Sequence, residues 1–244
     1  MTSKDWNGNV NFEVKIELNH CYNMDCVEGM RLMEQQGIKA DWVITDPPYG
    51  ISIGVLPYTN GKKASRALAN RRNYSGTCDW DNQRIEKEVF DLMFKVSDNQ
   101  IFFGGNYYTD ILLPTKSWIV WNKRRYDEKD RCDFGDCELA WCSKGVARCF
   151  NYLYNGMLQG DMKNKDPRFH ATQKPTQLWT KILQHYTKEG DTVLDPFAGS
   201  QSLHVACHRL KRNYIGFEID ENYYKQGCDW VAREKAQISI WDMV

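Results

Sequence analysis

Asp46-Pro47-Pro48-Tyr49 brings a carboxylate, two prolines and a phenol ring together in one short segment. The apolar run at 41–45 before it predicts a buried strand, and consecutive prolines cannot continue a central strand, so we expect the strand to end at Asp46. Each proline fixes its own φ angle, which would hold the neighbouring acceptor groups in a set geometry. The segment therefore offers hydrogen-bond acceptors beside an aromatic surface, although the same four residues also suit a plain turn.

A second group of residues has the spacing of a nucleotide-type cofactor site. Asp195 ends another apolar run, and the segment from Phe197 to Ser200 separates that predicted strand from a predicted helix. Backbone N–H groups at the start of a helix can approach a bound cofactor closely. Glu218 follows roughly 20 residues later, at the end of the next predicted strand, where a carboxylate can bind ribose hydroxyls. By itself this spacing indicates a nucleotide-like cofactor and no more.

Predicted strands and helices alternate along most of the chain, and they would position both groups. The predicted strands are nearly continuous apolar runs, which is typical of strands covered on both faces. We predict strands at 41–45, 99–103, 117–121, 138–142, 191–194 and 213–217, and helices at 83–96, 176–187, 203–210 and 221–235. The fold class is therefore α/β, with a doubly wound, mostly parallel sheet. The carboxyl ends of its strands would gather Asp46, Gly104, Asp195 and Glu218.

Length and composition limit the class of protein. The chain has 244 residues, 42% of them hydrophobic, and 32 basic side chains balance 32 acidic ones. We predict a single domain, 1–244, with room for a sizeable core and one or two long insertions. No apolar run approaches the roughly 18 to 20 residues that cross a bilayer, so we expect no membrane partner and a cytoplasmic location. Nine cysteines without a C-x-x-C pair favour reduced thiols and no metal site.

The neutral net charge hides two basic segments. No acidic residue occurs between 50 and 78, and the segment 143–174 has six basic residues against two acidic ones. Clustered cations suit a phosphate backbone, whereas the plainer alternative is a solvated loop. We predict a basic active-site loop at 50–80 and a small recognition insertion at 145–170. The candidate phosphate-binding residues are Lys62, Lys63, Arg66, Arg71, Arg72, Arg148, Lys163, Lys165 and Arg168.

The D-P-P-Y segment resembles the catalytic signature, D/N/S-P-P-Y/F/W, of the amino-methyltransferases that modify adenine N6 or cytosine N4 in DNA. The region 190–220 is similar to the family's S-adenosylmethionine segment, and residues 170–175, His-Ala-Thr-Gln-Lys-Pro, are similar to the motif before it. Residues 23–25 stand where a contact to the cofactor adenine is expected. D-P-P-Y precedes the cofactor loop, which is the circularly permuted order of the beta group. The resemblance extends from 20 to 231.

This resemblance implies a Rossmann-like methyltransferase sheet, S-adenosylmethionine as the cofactor and double-stranded DNA as the partner. It makes Asp46, Pro47, Pro48 and Tyr49 the catalytic residues, and the basic residues above become the candidate DNA-binding residues. The cofactor-binding residues that it implies are Asp25, Thr172, Lys174, Asp195, Phe197, Ala198, Gly199, Ser200, Glu218 and Ile219. Within this set, Lys174 would pair with the methionine carboxylate.

The chemistry of that family accounts for the residue types. The exocyclic amine of adenine is a poor nucleophile because its lone pair is delocalised into the ring. If Asp46 accepts one N–H and the Pro47 carbonyl accepts the other, the lone pair is directed at the methyl group. Tyr49 offers a ring face to an extruded base, which replaces roughly 1 to 3 kcal/mol of lost stacking. This reaction requires no metal ion.

One departure from the family pattern and several alternatives remain. The family's cofactor loop usually reads F-x-G-x-G, and Gln201 replaces its second glycine, which is expected to alter the backbone approach to methionine. Aspartate at position 46 favours adenine-N6 by resemblance, and the alternatives are cytosine-N4 methylation and a non-catalytic nucleic-acid-binding subunit. The sequence leaves open the recognition site, whether the chain forms a homodimer, and whether a cognate restriction enzyme accompanies it.

Overall fold

The structure is a computed structural model that describes residues 14–51, 83–124, 135–155, 158–170 and 172–237, together with two short strands nearer the start. Those two strands, β1 (Thr2–Lys4) and β2 (Val10–Phe12), pair in antiparallel fashion. The basic loop expected at 50–80 lies almost entirely outside the described residues.

One mixed sheet of eight strands forms the centre of the described part of the chain. The strands that follow β1 and β2 are β3 (His20–Tyr22), β4 (Ala40–Thr45), β5 (Ser97–Phe103), β6 (Ile119–Asn122), β7 (Cys137–Cys142), β8 (Arg148–Asn151), β9 (Tyr154–Asn155), β10 (Leu158–Gln159), β11 (Thr192–Asp195) and β12 (Asn213–Phe217). The order across the sheet is β3-β12-β11-β4-β5-β7-β6-β8, and β9 pairs with β10 in a separate hairpin. Of the eight sheet strands, β7 runs against the direction of the others, so the prediction of a mostly parallel sheet is confirmed.

Helices cover both faces of this sheet. Those in the described residues are α1 (Cys26–Gln35), α2 (Lys87–Lys95), α3 (Thr176–Tyr186), α4 (Ser202–Arg209) and α5 (Glu221–Ala236). Side chains alternate along a strand, so Trp42 and Ile44 pack with α3, α4 and α5, while Val43 packs with α1 and α2 on the other face. The predicted doubly wound architecture is therefore confirmed. No helix among the residues that the structure describes is long and apolar enough to cross a bilayer.

The chain changes direction across the sheet between β4 and β11. The unit β4-α2-β5 proceeds towards one edge with its helix on one face, and the unit β11-α4-β12 proceeds towards the other edge with its helix on the opposite face. At such a switch point, the connections that follow β4 and β11 run to opposite faces of the sheet. They leave a crevice beyond the carboxyl ends of these two strands, where ligands bind in open α/β sheets. Asp46 and Asp195 lie at these two strand ends.

Besides the short strands β1 and β2, three elements of the main sheet and its covering helices were not predicted: β3, β8 and α1. Helix α1 buries Met30 and Met33, but Gly29 between its apolar positions lowers the helical tendency of the segment. Strand β8 forms the edge of the main sheet beside β6, and the β9-β10 hairpin follows it. The segment 145–170 thus begins with a strand of the core sheet, and its role as a recognition insertion stays a prediction.

Candidate active site

A pocket of about 320 Å³ opens at the carboxyl ends of β4, β11 and β12. Every residue that the sequence assigned to cofactor binding lines it: Asp25, Thr172, Lys174, Asp195, Phe197, Ala198, Gly199, Ser200, Glu218 and Ile219. Asp46 and Pro48 of the D-P-P-Y segment line the same pocket. The fold therefore brings Asp46 and Pro48 to the cofactor residues, while Pro47 and Tyr49 are not among the residues that line the pocket.

Glu218 holds the loop after β11. Its Oε2 accepts a hydrogen bond from the Gly199 N–H at 2.6 Å, and its Oε1 accepts one from the Asp220 N–H at 2.8 Å. Asn23 Nδ2 donates to the Glu218 carbonyl at 2.8 Å, which ties the end of β3 to the end of β12. Next in the chain, Ile219 lines the pocket with 65% of its surface exposed. The site thus offers a fixed carboxylate beside an uncovered apolar side chain.

Asp25 has a structural role in addition to its place in the pocket. As the N-cap of α1, its Oδ1 accepts hydrogen bonds from the N–H groups of Val27 at 2.8 Å and Glu28 at 3.3 Å. An N-cap carboxylate satisfies backbone donors that have no partner inside the helix. Asp25 therefore caps helix α1 and lines the pocket at the same time.

Asp195 is buried at the switch point. Its Oδ1 accepts a hydrogen bond from the Thr45 hydroxyl at 2.7 Å, which crosses from β4 to β11, and another from the Phe197 N–H at 3.3 Å. Burial raises the pKa of Asp195 to about 7, and these two donors oppose that rise. The carboxyl therefore titrates close to neutral pH.

Gln201 keeps the backbone conformation that a glycine would supply. Its φ is +59°, in the left-handed region, and it stands at the N-cap of α4. Its side chain extends towards α5, where Nε2 donates to the Tyr224 carbonyl at 3.1 Å. Gln201 does not line the pocket. The amide group thus leaves the cofactor side of the loop clear, and the expected change in the backbone approach to methionine stays a prediction.

Asp46 lies at one end of four side chains whose charges alternate, which we call the charge row: Lys123, Glu138, Lys174 and Asp46. Lys123 Nζ is 2.9 Å from Glu138 Oε1, and Lys174 Nζ is 3.2 Å from Glu138 Oε2. Lys174 Nζ also forms an ion pair with Asp46 Oδ2, and Lys174 has only 5% of its side chain exposed. The ammonium that the sequence assigned to the methionine carboxylate therefore has two protein carboxylates as partners.

Burial and charge oppose each other along this row. Burial raises the pKa of Asp46 above its ordinary value, and the Lys174 ammonium limits that rise. Burial works against the charge of Lys174, yet the Asp46 and Glu138 carboxylates raise its pKa above the ordinary value. For Glu138, Lys174 and Lys123 overcome the effect of burial and lower the pKa. Mutual contact therefore favours the charged forms of Lys174 and Glu138, whereas for Asp46 burial outweighs it.

Tyr49 is held by contacts on several sides. Its hydroxyl donates to Asp46 Oδ1, and its ring stacks on Tyr107 with centroids 4.8 Å apart and planes 17° apart. A Cβ at Gly104, after β5, would come within 2.0 Å of the Tyr49 ring, so only glycine allows this approach. A base can stack on the ring face that Tyr107 covers only if Tyr107, which is 40% exposed, moves.

Sequence reasoning missed Glu138, Lys123 and Tyr107. Glu138 carried one usable signal, a lone acidic residue at the start of the apolar strand β7. His170, within the recognised 170–175 motif, also lines the pocket and packs on the Tyr223 ring with centroids 4.3 Å apart. Burial lowers the pKa of His170 to about 4, so its imidazole is neutral at pH 7.

The candidate DNA-binding residues fall into two sets. Four of them lie in the described residues and are exposed: Arg148, Lys163, Lys165 and Arg168. Arg148 begins β8 at the sheet edge, and the other three follow the β9-β10 hairpin. The remaining five, Lys62, Lys63, Arg66, Arg71 and Arg72, lie outside the described residues. Their contacts with DNA stay a prediction.

Groups of three or more His, Cys, Asp or Glu side chains arranged to hold a metal ion do not occur within the described ranges. The acidic side chains of the pocket bind backbone N–H groups, a hydroxyl and an ammonium instead.

Comparison with known proteins agrees with this geometry. The family model for DNA methylases of the N6/N4 type matches residues 40–228. The type II methyltransferase M2.DpnII of Streptococcus pneumoniae is 46% identical over 233 residues, which cover 81% of this chain and 82% of the relative. M.HinfI of Haemophilus influenzae, another type II methyltransferase, is 26% identical over 84% of this chain, which spans 66% of its length.

A solved structure has the same fold. The crystal structure of M1.HpyAVI with SAM superposes with a TM-score of 0.55 and 23% sequence identity, covering 86% of this chain and 98% of that one. The D-P-P-Y segment, the pocket at the switch point and the match over 40–228 lead to one conclusion. The chain belongs to the N6/N4 DNA methylase family, whose methyl donor is S-adenosylmethionine.

Proposed function

We propose that the protein is a DNA adenine-N6 methyltransferase that methylates an adenine extruded from the duplex. The observation that carries the proposal is that Asp46 lines the same pocket as all ten candidate cofactor residues. An acceptor for the target amine and the binding site of the methyl donor then adjoin, as transfer of a methyl group requires.

The pocket fits S-adenosylmethionine. Its volume of about 320 Å³ lies in the range of small-molecule sites. Glu218 is placed for ribose hydroxyls, because each carboxylate oxygen keeps acceptor capacity beyond its one backbone donor. The exposed Ile219 side chain can cover a face of the cofactor adenine. S-adenosylmethionine supplies an electrophilic methyl group on a sulfonium.

The chain's own groups act on the target amine. Asp46 accepts one N–H and the Pro47 carbonyl accepts the other, which turns the nitrogen lone pair away from the ring and towards the pocket. The Tyr108 hydroxyl donates to the Pro48 carbonyl and so fixes the backbone beside the Pro47 acceptor. After transfer the nitrogen carries one proton too many, and the Asp46 carboxylate, already bonded to it, accepts that proton.

The choice of adenine rests on the aspartate at position 46, by resemblance to the family. Cytosine-N4 methylation is the second candidate, since the same two acceptors would serve its amine. A non-catalytic subunit is disfavoured because Asp46 and an open cofactor pocket are both present.

Nucleoside analysis tests this proposal directly. DNA from a host that lacks other DNA methyltransferases and expresses the chain is digested and analysed by mass spectrometry, with Asp46→Ala as the control. We expect N6-methyladenine, absent with the variant. Detection of N4-methylcytosine instead would assign the other base. The absence of both methylated bases would support the non-catalytic alternative. Single-molecule sequencing of the same DNA gives the recognition sequence.

We further propose that exposed cations bind the phosphate backbone of the DNA around the target base. Among the described residues, Arg148 and Lys163 are two of these cations.

Relatives of the chain are named type II methyltransferases, which supports pairing with a cognate restriction enzyme. Protection of host DNA from cleavage at the methylated sequence tests that pairing. Sedimentation with and without DNA tests whether the protein acts as a homodimer.

A further inference from the structure

The Lys174 ammonium is surrounded by fixed acceptors. Its Nζ contacts Asp46 Oδ2, lies 3.2 Å from Glu138 Oε2 and 3.5 Å from the Tyr49 hydroxyl, and sits 4.8 Å from the centre of the Phe103 ring. An ammonium has three N–H donors, and three oxygens stand within reach of them. Such an arrangement fixes the position of the ammonium, and through the ion pair it fixes the Asp46 carboxylate.

From this geometry we propose that Lys174 and Glu138 are positioning residues for Asp46. Lys174 keeps the Asp46 carboxylate ionised and oriented. Glu138 shares the Lys174 ammonium, so that the Asp46 carboxylate stays available to the target amine. The inference rests on the proposed function, in which Asp46 accepts the target amine.

The need for Lys174 follows from burial. A carboxylate removed from water tends to take up a proton, and a protonated carboxyl is a weaker acceptor for an amine N–H. Within the described ranges, the other titratable groups that face Asp46 are Glu138, the Tyr49 hydroxyl and, on β11, Asp195, and none of them can carry positive charge. Among the described residues, Lys174 is the cation in contact with Asp46.

The need for Glu138 follows from the strength of an isolated buried pair. A lone ammonium against Asp46 would hold the carboxylate so firmly that the target amine would compete poorly for it. Glu138 divides the attraction, because its Oε2 faces Lys174 while its Oε1 binds Lys123. Both residues act through Asp46 and need not touch the base.

The two residues have opposite charges, so their removal should have opposite effects on the pH profile. We would measure the single-turnover methylation rate against pH for Lys174→Met, Lys174→Arg, Glu138→Gln and Lys188→Met. For K174M we expect the acid limb to move up by about one pH unit or more, which lowers the rate about tenfold or more at any pH on that limb. For E138Q we expect the acid limb to move down, because a negative neighbour of Asp46 is lost.

The remaining variants serve as controls. K174R retains the positive charge and should restore the acid limb towards its wild-type position. K188M removes the same charge from an exposed lysine after α3 and should leave the profile unchanged. S-adenosylmethionine affinity should stay within about threefold in E138Q and K188M, because neither residue lines the cofactor pocket. If K174M does not fold, the test rests on the other two variants: the acid limb of the pH profile should move down in E138Q and keep its wild-type position in K174R.

Two results have distinct meanings. If K174M and E138Q lower the rate by a constant factor at every pH and leave the acid limb in place, the two residues have a merely structural role. That result would overturn the inference. A wild-type protein that methylates no DNA at all would instead refute the proposed function, so the two failures are distinguishable.

Discussion

Asp46→Asn changes one oxygen of the proposed amine acceptor to an NH₂ group and leaves the shape of the side chain almost the same. In the wild type, Oδ1 accepts from the Tyr49 hydroxyl and Oδ2 pairs with Lys174. An asparagine retains one acceptor, but its NH₂ group would face either the Lys174 ammonium or the Tyr49 hydroxyl, so in each orientation one wild-type partner of the carboxylate is lost. The variant therefore loses a charge-assisted acceptor and gains an unfavourable donor.

Loss of one such group from a site that excludes water costs about 2.7 to 4 kcal/mol in the barrier, which is about a hundredfold to a thousandfold in rate. The assay is single-turnover transfer of labelled methyl to DNA, with enzyme in excess. Cofactor affinity, measured by calorimetry, should change only a few-fold, because Asp46 acts on the amine. The matched control is Asp41→Asn at the other end of β4, where the carboxylate accepts the Thr192 N–H at 2.7 Å. A D46N protein with more than a tenth of the wild-type rate would refute the assigned role.

Three further outcomes are expected. Tyr49→Ala should weaken engagement of the extruded base more than duplex binding; equal emission of a fluorescent base analogue in variant and wild-type complexes would count against stacking on this ring. Replacing Lys163, Lys165 and Arg168 together by alanine should lower the slope of log affinity for DNA against log salt by up to about three units, since each neutralised phosphate contributes about 0.9; an unchanged slope would place the phosphate contacts elsewhere. The pKa of Asp195 rises from an ordinary 3.8 to about 7 on folding, so its contribution to stability is fully present below about pH 4 and is lost between about pH 4 and 7. Asp195→Asn should therefore raise the unfolding free energy of the cofactor-free protein at pH 8 by up to about 4 kcal/mol, seen as a higher melting temperature, and leave it nearly unchanged at pH 4; equal effects at both values would contradict the assignment.

Local patterns were sufficient to predict that the strand ends meet at one site, whereas Asp25, Thr172 and Lys174 were assigned by the resemblance to the family. Asp46, Gly199 and Glu218 each lie within a few residues of a strand end, and the strands were recognisable as short apolar runs. Once the sheet is parallel, its carboxyl ends must share one edge, so these residues had to meet. The prediction needed no knowledge of contacts between distant side chains.

Contacts made by reversed or irregular elements could not be predicted in this way. Glu138 reaches Lys174 because β7 pairs antiparallel with β5, and neither the direction nor the register of β7 is written in its own sequence. Tyr107 stacks on Tyr49 from a single 3-10 turn after β5, too short for any periodic signal. Lys174 was recognised as a pocket residue, but its partners come from strands far away in the chain.

The conformation of Gln201 links two positions that lie 26 residues apart in the sequence. A Cβ added at Gly227 on α5 would come within 2.7 Å of the Gln201 side chain, which fills the space that Gly227 leaves. A side chain at 227 would therefore force Gln201 to move out of this space, whereas a glycine at 201 would give 227 room for alanine. Each change made singly should cost stability, and both made together should cost less than their sum. The departure from the family pattern in this loop is thus accommodated by a glycine on the adjacent helix, and a change at either position should be read together with the residue at the other.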